Sequence, residues 1–153
     1  MSDRAPALRG GDGSGRAVPR CSDAVTALQR RCNAVEESYE FMLAYAAQGL
    51  STDRGSPSGA QVRESLQRLD AALTGLGELY TSLVERCALQ PAAGYQAFID
   101  VLSRDARDAQ ASVQLVLAQS SISSQLVDNL NASIHLRALL TDFFLIDELL
   151  KKV

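Results

Sequence analysis

Apolar residues recur along this chain at alternating spacings of three and four. The first run is Val25, Leu28, Cys32, Val35, Tyr39, Met42 and Ala46. That spacing lines up one side chain per turn on the same side of an α-helix, a seam against which another helix packs. Ser22 or Asp23 offers an oxygen to the free N–H groups of a first turn, and Gly49 suits a helix stop. A second run comprises Val62, Leu66, Leu69, Leu73, Leu76, Tyr80, Leu83 and Cys87. Gly75 and Gly77 fall inside it at about 1 kcal/mol each against Ala, so they mark a bend or the close approach of a neighbour. In the third run, Tyr95, Ile99, Leu102, Ala106, Ala109, Val113 and Val116, the alanines leave room for a close partner helix. The hydroxyls of "SSISS" (120–124) then cap or kink whatever follows.

These patterns predict helices over about 22–49, 59–88, 94–118 and 122–151, separated by "STDRGSPSG", by Pro91 with Gly94, and by the serines. Each would be about 40 Å long, and matched lengths with short connections predict an antiparallel four-helix bundle, up-down-up-down. The alternative is a long helical hairpin, in which the third and fourth helices run together and a dimer completes the bundle. Residues 1–21 have no periodicity, and their Gly, Pro and Arg content reads as a disordered leader, mildly basic through Arg4, Arg9, Arg16 and Arg20. The remainder, 22–153, is one domain, as expected for 153 residues.

The surplus of apolar residues in the last helix changes this picture. Between Leu136 and Leu150, ten of fifteen residues are apolar, whereas a helix with one buried face needs about three or four per two turns. One stripe, Leu136, Leu139, Phe143, Ile146 and Leu150, supplies an inner seam; Phe144, Leu145 and Leu149 lie off it. The surplus predicts a protein interface built from Leu136, Leu139, Leu140, Phe143, Phe144, Leu145, Ile146, Leu149 and Leu150. Self-association is the first expectation, with a different protein partner, or covering by the leader or a loop, as alternatives.

Composition and charge remove other classes. A formal net charge of −3 gives no bulk electrostatic match to nucleic acid or an anionic membrane. The first twenty residues hold no signal-like apolar run, and 138–150 is too short and too acidic, at Asp142, Asp147 and Glu148, to span a membrane. Three irregularly spaced cysteines indicate neither a disulfide framework nor a zinc site, so a reducing, cytoplasmic location is expected. Counted from a turn near residue 54, Cys21 and Cys87 fall at the same level, with Cys32 about 16 Å deeper. Cys32 and Cys87 sit on seams and read as buried, inert thiols; a redox role for the Cys21–Cys87 pair is the alternative.

No catalytic constellation emerges. Glu36, Glu37 and Glu40 would suit a di-iron bundle only with two Glu-x-x-His pairs, and the chain has a single histidine. They read as a solvated face, and neither a cofactor nor a metal is expected. Ser-His-Asp sets, phosphate loops and CxxC motifs are absent from the sequence. His135 shares a helix face with Asp128, Asn131 and Asp142, opposite Leu126, Val127, Leu130 and Ile134, and is expected to be exposed. It is the one residue a phosphotransfer-like signalling module would use, although the following "LRALL" lacks the flanks such histidines keep. The expected function is therefore a non-catalytic protein–protein interaction module: an accessory, adaptor or assembly factor, with a secretion or assembly chaperone as a close variant.

Overall fold

The computed structural model describes residues 20–152, which form six helices and no strand. They are α1 (Cys21–Ala47), α2 (Pro57–Leu73), α3 (Leu76–Arg86), α4 (Ala92–Leu117), α5 (Ser124–Ala132) and α6 (Ile134–Leu150). The all-helical expectation holds, but six helices stand where four are expected. The leader up to residue 19 lies outside the described residues. Arg20, not Ser22 or Asp23, caps α1, and the Asp23 carboxylate accepts the Arg20 N–H at 3.1 Å.

The second predicted helix breaks at Thr74 and Gly75. Gly75 has φ 68°, a left-handed conformation that costs a residue without Cβ nothing. Arg31 compensates the carbonyls freed at the end of α2, with Nη1 donating to Ala71, Ala72 and Thr74 oxygens at 3.3, 3.2 and 2.5 Å. The apolar seam runs through the break unchanged, since Leu73, Leu76, Tyr80 and Leu83 are all buried. Gly77 serves the other purpose, close approach: a Cβ there would lie 2.1 Å from Ser103 Oγ on α4. Both readings of the glycine pair are realised, one at each residue.

The fourth predicted helix breaks at Ser133, whose ψ of 130° ends α5 and restarts the chain as α6. A break resets the rotational phase of everything after it. Hence Ile134, expected on the apolar side, is exposed. Asn131, which precedes the break, and Asp142 are buried although both are expected in solvent beside His135.

The helices are tied together at both ends. α1 packs against α2, α3 and α5, and α4 against α2, α3, α5 and α6. At one end the α1–α2 loop meets the α4–α5 loop. The Asp53 carboxylate accepts the Ile122 N–H at 2.7 Å and Arg63 Nε at 2.5 Å, and Tyr45 donates its hydroxyl to Ile122 O at 2.6 Å. Ser124 exchanges backbone and side-chain hydrogen bonds with Leu50, while Ser123 caps α5 by accepting the Leu126 N–H. At the opposite end Cys21 and Cys87 form a disulfide with Cα atoms 4.8 Å apart. Their common level follows from counting; the inert-thiol reading of Cys87 and the absence of disulfides do not hold.

A docking face on α6

Helix α6 divides its apolar residues between two sides. Leu136, Leu139, Leu140, Phe143 and Ile146 are buried in the core, and Leu150 is half-buried. Five of the nine predicted interface residues therefore serve the chain's own packing and are not available to a partner. At 100° per residue Ile134, Leu145 and Leu149 lie opposite this stripe and Phe144 on its flank, and all four face outward. There Ile134, Phe144, Leu145 and Leu149 are 74%, 65%, 53% and 41% exposed. Ile134 is the member of this face that the sequence misplaced, because the break at Ser133 is invisible to a continuous wheel.

Beside Phe144 a groove of about 330 Å³ runs between α6 and α1. Tyr39, Leu140 and Phe144 supply its apolar lining, and Glu36, Glu40 and Arg137 its charge. Glu36, Glu37 and Glu40 are all exposed, as a solvated face requires. The Arg137 guanidinium has no ion-pair partner among the described residues, whereas Glu148 pairs with Lys151 at 3.1 Å. A larger groove, about 580 Å³, lies on the α3–α4 side near Gly75. Part of its polar lining is engaged, Thr81 with Gln96 and Gln96 with Asp100, and Gln110 with Thr74 and with Asp70 beside the groove.

His135 is exposed as expected, with Nδ1 4.0 Å from Asp108 Oδ2 on α4. A carboxylate at that distance would repel a phosphoryl dianion on the ring. Cys32 is a free, half-buried thiol. Burial pushes it up, a 3.7 Å contact with the Tyr80 hydroxyl opposes this, and Asp147 and Glu36 add to it, so the thiol stays protonated. Among the described residues no three His, Cys, Asp or Glu side chains gather as a metal site, and no helix is long and apolar enough to cross a membrane.

The seam that holds α6 in place contains one costly group. Asp142 points inward at 9% exposure, and its Oδ2 has no hydrogen-bond partner among the described residues. Burial, then the neighbouring Asp105 carboxyl on α4, push its carboxyl up to about 7. Because the folded value exceeds the unfolded one, folding takes up a proton between about pH 4 and pH 7. Stability falls as pH rises through that window. Asp142→Asn, which removes the charge and keeps the shape, is expected to stabilise the protein at pH 7.5 by about 2 kcal/mol after allowance for solvent screening. It should also remove most of the loss between pH 5 and pH 7.5, as read by urea unfolding. Equal stability of wild type and variant at pH 7.5 would contradict this.

No protein-family model matches the chain, and no characterised protein or solved structure is significantly similar to it.

Proposed function

We propose that this protein is a non-catalytic interaction module that binds another protein surface through the outer face of α6. Helices α2 with α3, and α5 with α6, act as two bent rods beside α1 and α4, an up-down-up-down bundle that holds the face rigid. One observation carries the reading: α6 alone exposes four large apolar side chains after its inner stripe has filled the core. Among the described residues the other large exposed hydrophobics, Leu43, Val101 and Leu115, are spread over α1 and α4. Contiguous exposed apolar surface normally marks a binding site. Docking would gain about 25 cal/mol per Å² of apolar area removed from water. The Cys21–Cys87 bond supports an oxidising compartment for this work and not the cytoplasm expected from the cysteine count.

A photo-cross-linking amino acid placed at Leu145 in the producing cell tests the reading, with Glu64 on the exposed side of α2 as control. The expected result is a discrete protein adduct from position 145 that disappears when Phe144→Asp is added, and none from position 64. Absence of an adduct at 145 would refute a docking role for this face.

A further inference from the structure

We infer that the occupant of the α6 face is a second copy of this chain, its α6 antiparallel to the first, with Arg137 of each copy paired to Glu148 of the other. The inference rests on the docking reading above and names its partner.

The outward residues form a seam of their own. Ile134, Ala138, Thr141, Leu145 and Leu149 follow one another at spacings of 4-3-4-4, a strip about one side chain wide. A strip of this kind is matched by an identical strip on a facing helix. Ala138 leaves a shallow point into which the bulkier Leu149 of a second copy fits.

Charge decides the direction. Arg137 and Glu148 are eleven residues apart, about three turns or 16 Å, and so lie on nearly the same side of α6, beside the apolar strip. They bracket Thr141 and Phe144 symmetrically. A two-fold axis perpendicular to α6 near residue 142 brings Arg137 level with Glu148 of the second copy, and the same pair recurs on the far side of the axis. Such an axis maps each flank of the strip onto the same flank of the other copy, so the two groups meet. A parallel arrangement, with the two-fold axis along the helices, would carry Arg137 and Glu148 of the two copies to opposite sides of the strip and form neither pair.

Both groups are free to make this contact. Arg137 has no ion-pair partner among the described residues. The Glu148–Lys151 pair is exposed on both sides, and such pairs exchange readily. Nothing on α4 or α5 covers Ile134, Leu145 or Leu149, each of which is exposed. A foreign basic helix seated in the Glu36–Glu40 groove is the competing occupant, but it would leave the matched pair on α6 unexplained.

Sedimentation of the purified full chain, up to about 100 μM, supplies the test. Wild type is expected to dimerise, and Leu145→Asp to be monomeric with unchanged helix content. Arg137→Glu and Glu148→Arg should each weaken dimerisation about tenfold or more, because each sets like charges opposite one another twice. An equimolar mixture of these two single variants should restore dimerisation, since the heterodimer has two attractive pairs. A monomeric wild type, a dimer indifferent to Leu145→Asp, or a mixture no tighter than its components would overturn the inference. If the chain is monomeric while the cellular adduct at position 145 is to another protein, only the second copy is wrong. Loss of both signals would remove the docking face itself.

Discussion

Replacing Cys21 and Cys87 by serine, or reducing their bond, is expected to lower the unfolding free energy by about 4 kcal/mol. The bond closes a loop between residues 66 apart in sequence. A cross-link of that span removes enough freedom from the unfolded chain to contribute about 4 kcal/mol at 25 °C in the chain-entropy model. The native side offers little to compensate for its loss. Cys21 is the first residue of α1 and Cys87 ends α3, so without the bond the first turns of α1 are held mainly by Ala24 and Leu28. For a domain of this size the melting temperature should fall by about 8–16 °C. Thermal unfolding of the Cys21→Ser/Cys87→Ser variant, and of wild type with and without reductant, measures this. A shift below about 1 kcal/mol, or full reactivity of all three cysteines in the native protein, would contradict it.

The second large effect is expected at the other end of the molecule. Asp53→Ala should cost about 3 kcal/mol, because one carboxylate satisfies two elements at once. Its Oδ1 accepts the buried Ile122 N–H, and its Oδ2 accepts Arg63, whose remaining nitrogens reach the carbonyls of Leu117 and Gln119. Alanine leaves the amide without a partner and the guanidinium without its counter-charge. The first turn of α2 packs closely against this loop: a Cβ at Gly59 would lie 1.6 Å from Asp53 O. Burial raises the Asp53 carboxyl, but the hydrogen bonds from Ile122 and Arg63 outweigh it and hold the group below the usual carboxylate range. A depressed value has the opposite sign to that of Asp142. The Asp53 contribution is complete above the ordinary carboxyl range and is lost as pH falls through the folded value.

Together the two aspartates predict a stability maximum near pH 4, with Asp53 setting the acid limb and Asp142 the neutral one. Urea unfolding of Asp53→Ala should show the acid limb flattened and the neutral limb retained. If the variant keeps wild-type stability at pH 5, the Asp53 link between loops is not what holds them. Because Ile122 precedes the Ser123 cap, loosening this link also frees the start of α5 and, through it, the setting of α6.

How much of this was legible in advance depends on what each residue needs from its surroundings. Along α2 and α3 the run from Val62 to Leu83 is buried at every seam position, as periodicity alone requires. Along α1 the periodic residues Leu28, Val35 and Met42 are buried, but Ser38 and Tyr45 lie deeper than Tyr39 and Ala46. Tyr45 is inside because its hydroxyl finds Ile122 O, 77 residues away. Such a partner leaves no trace in the spacing of apolar residues. On α6 the inner stripe, and the displacement of Phe144, Leu145 and Leu149 from it, were readable from the sequence. The exposure of Ile134 was not.

The sequence by itself determined where helices form, which stripe of each faces inward, that Cys21 and Cys87 share a level, and that α6 carries more apolar residues than its own core can use. These properties depend on local backbone geometry, in which 3.6 residues per turn convert spacing into direction. Only the tertiary structure decided which glycine of the pair makes the bend and which the close approach, the break at Ser133, the covalent bond between Cys21 and Cys87, the link at Asp53 and the burial of Asp142 against Asp105. Each depends on groups distant in sequence meeting within a few ångströms: carbonyls released where Arg31 can take them, sulfur atoms within bonding reach, one carboxyl pressed against another. Those distances are set by how the helices pack, and the outer face of α6 is the surface their packing leaves over.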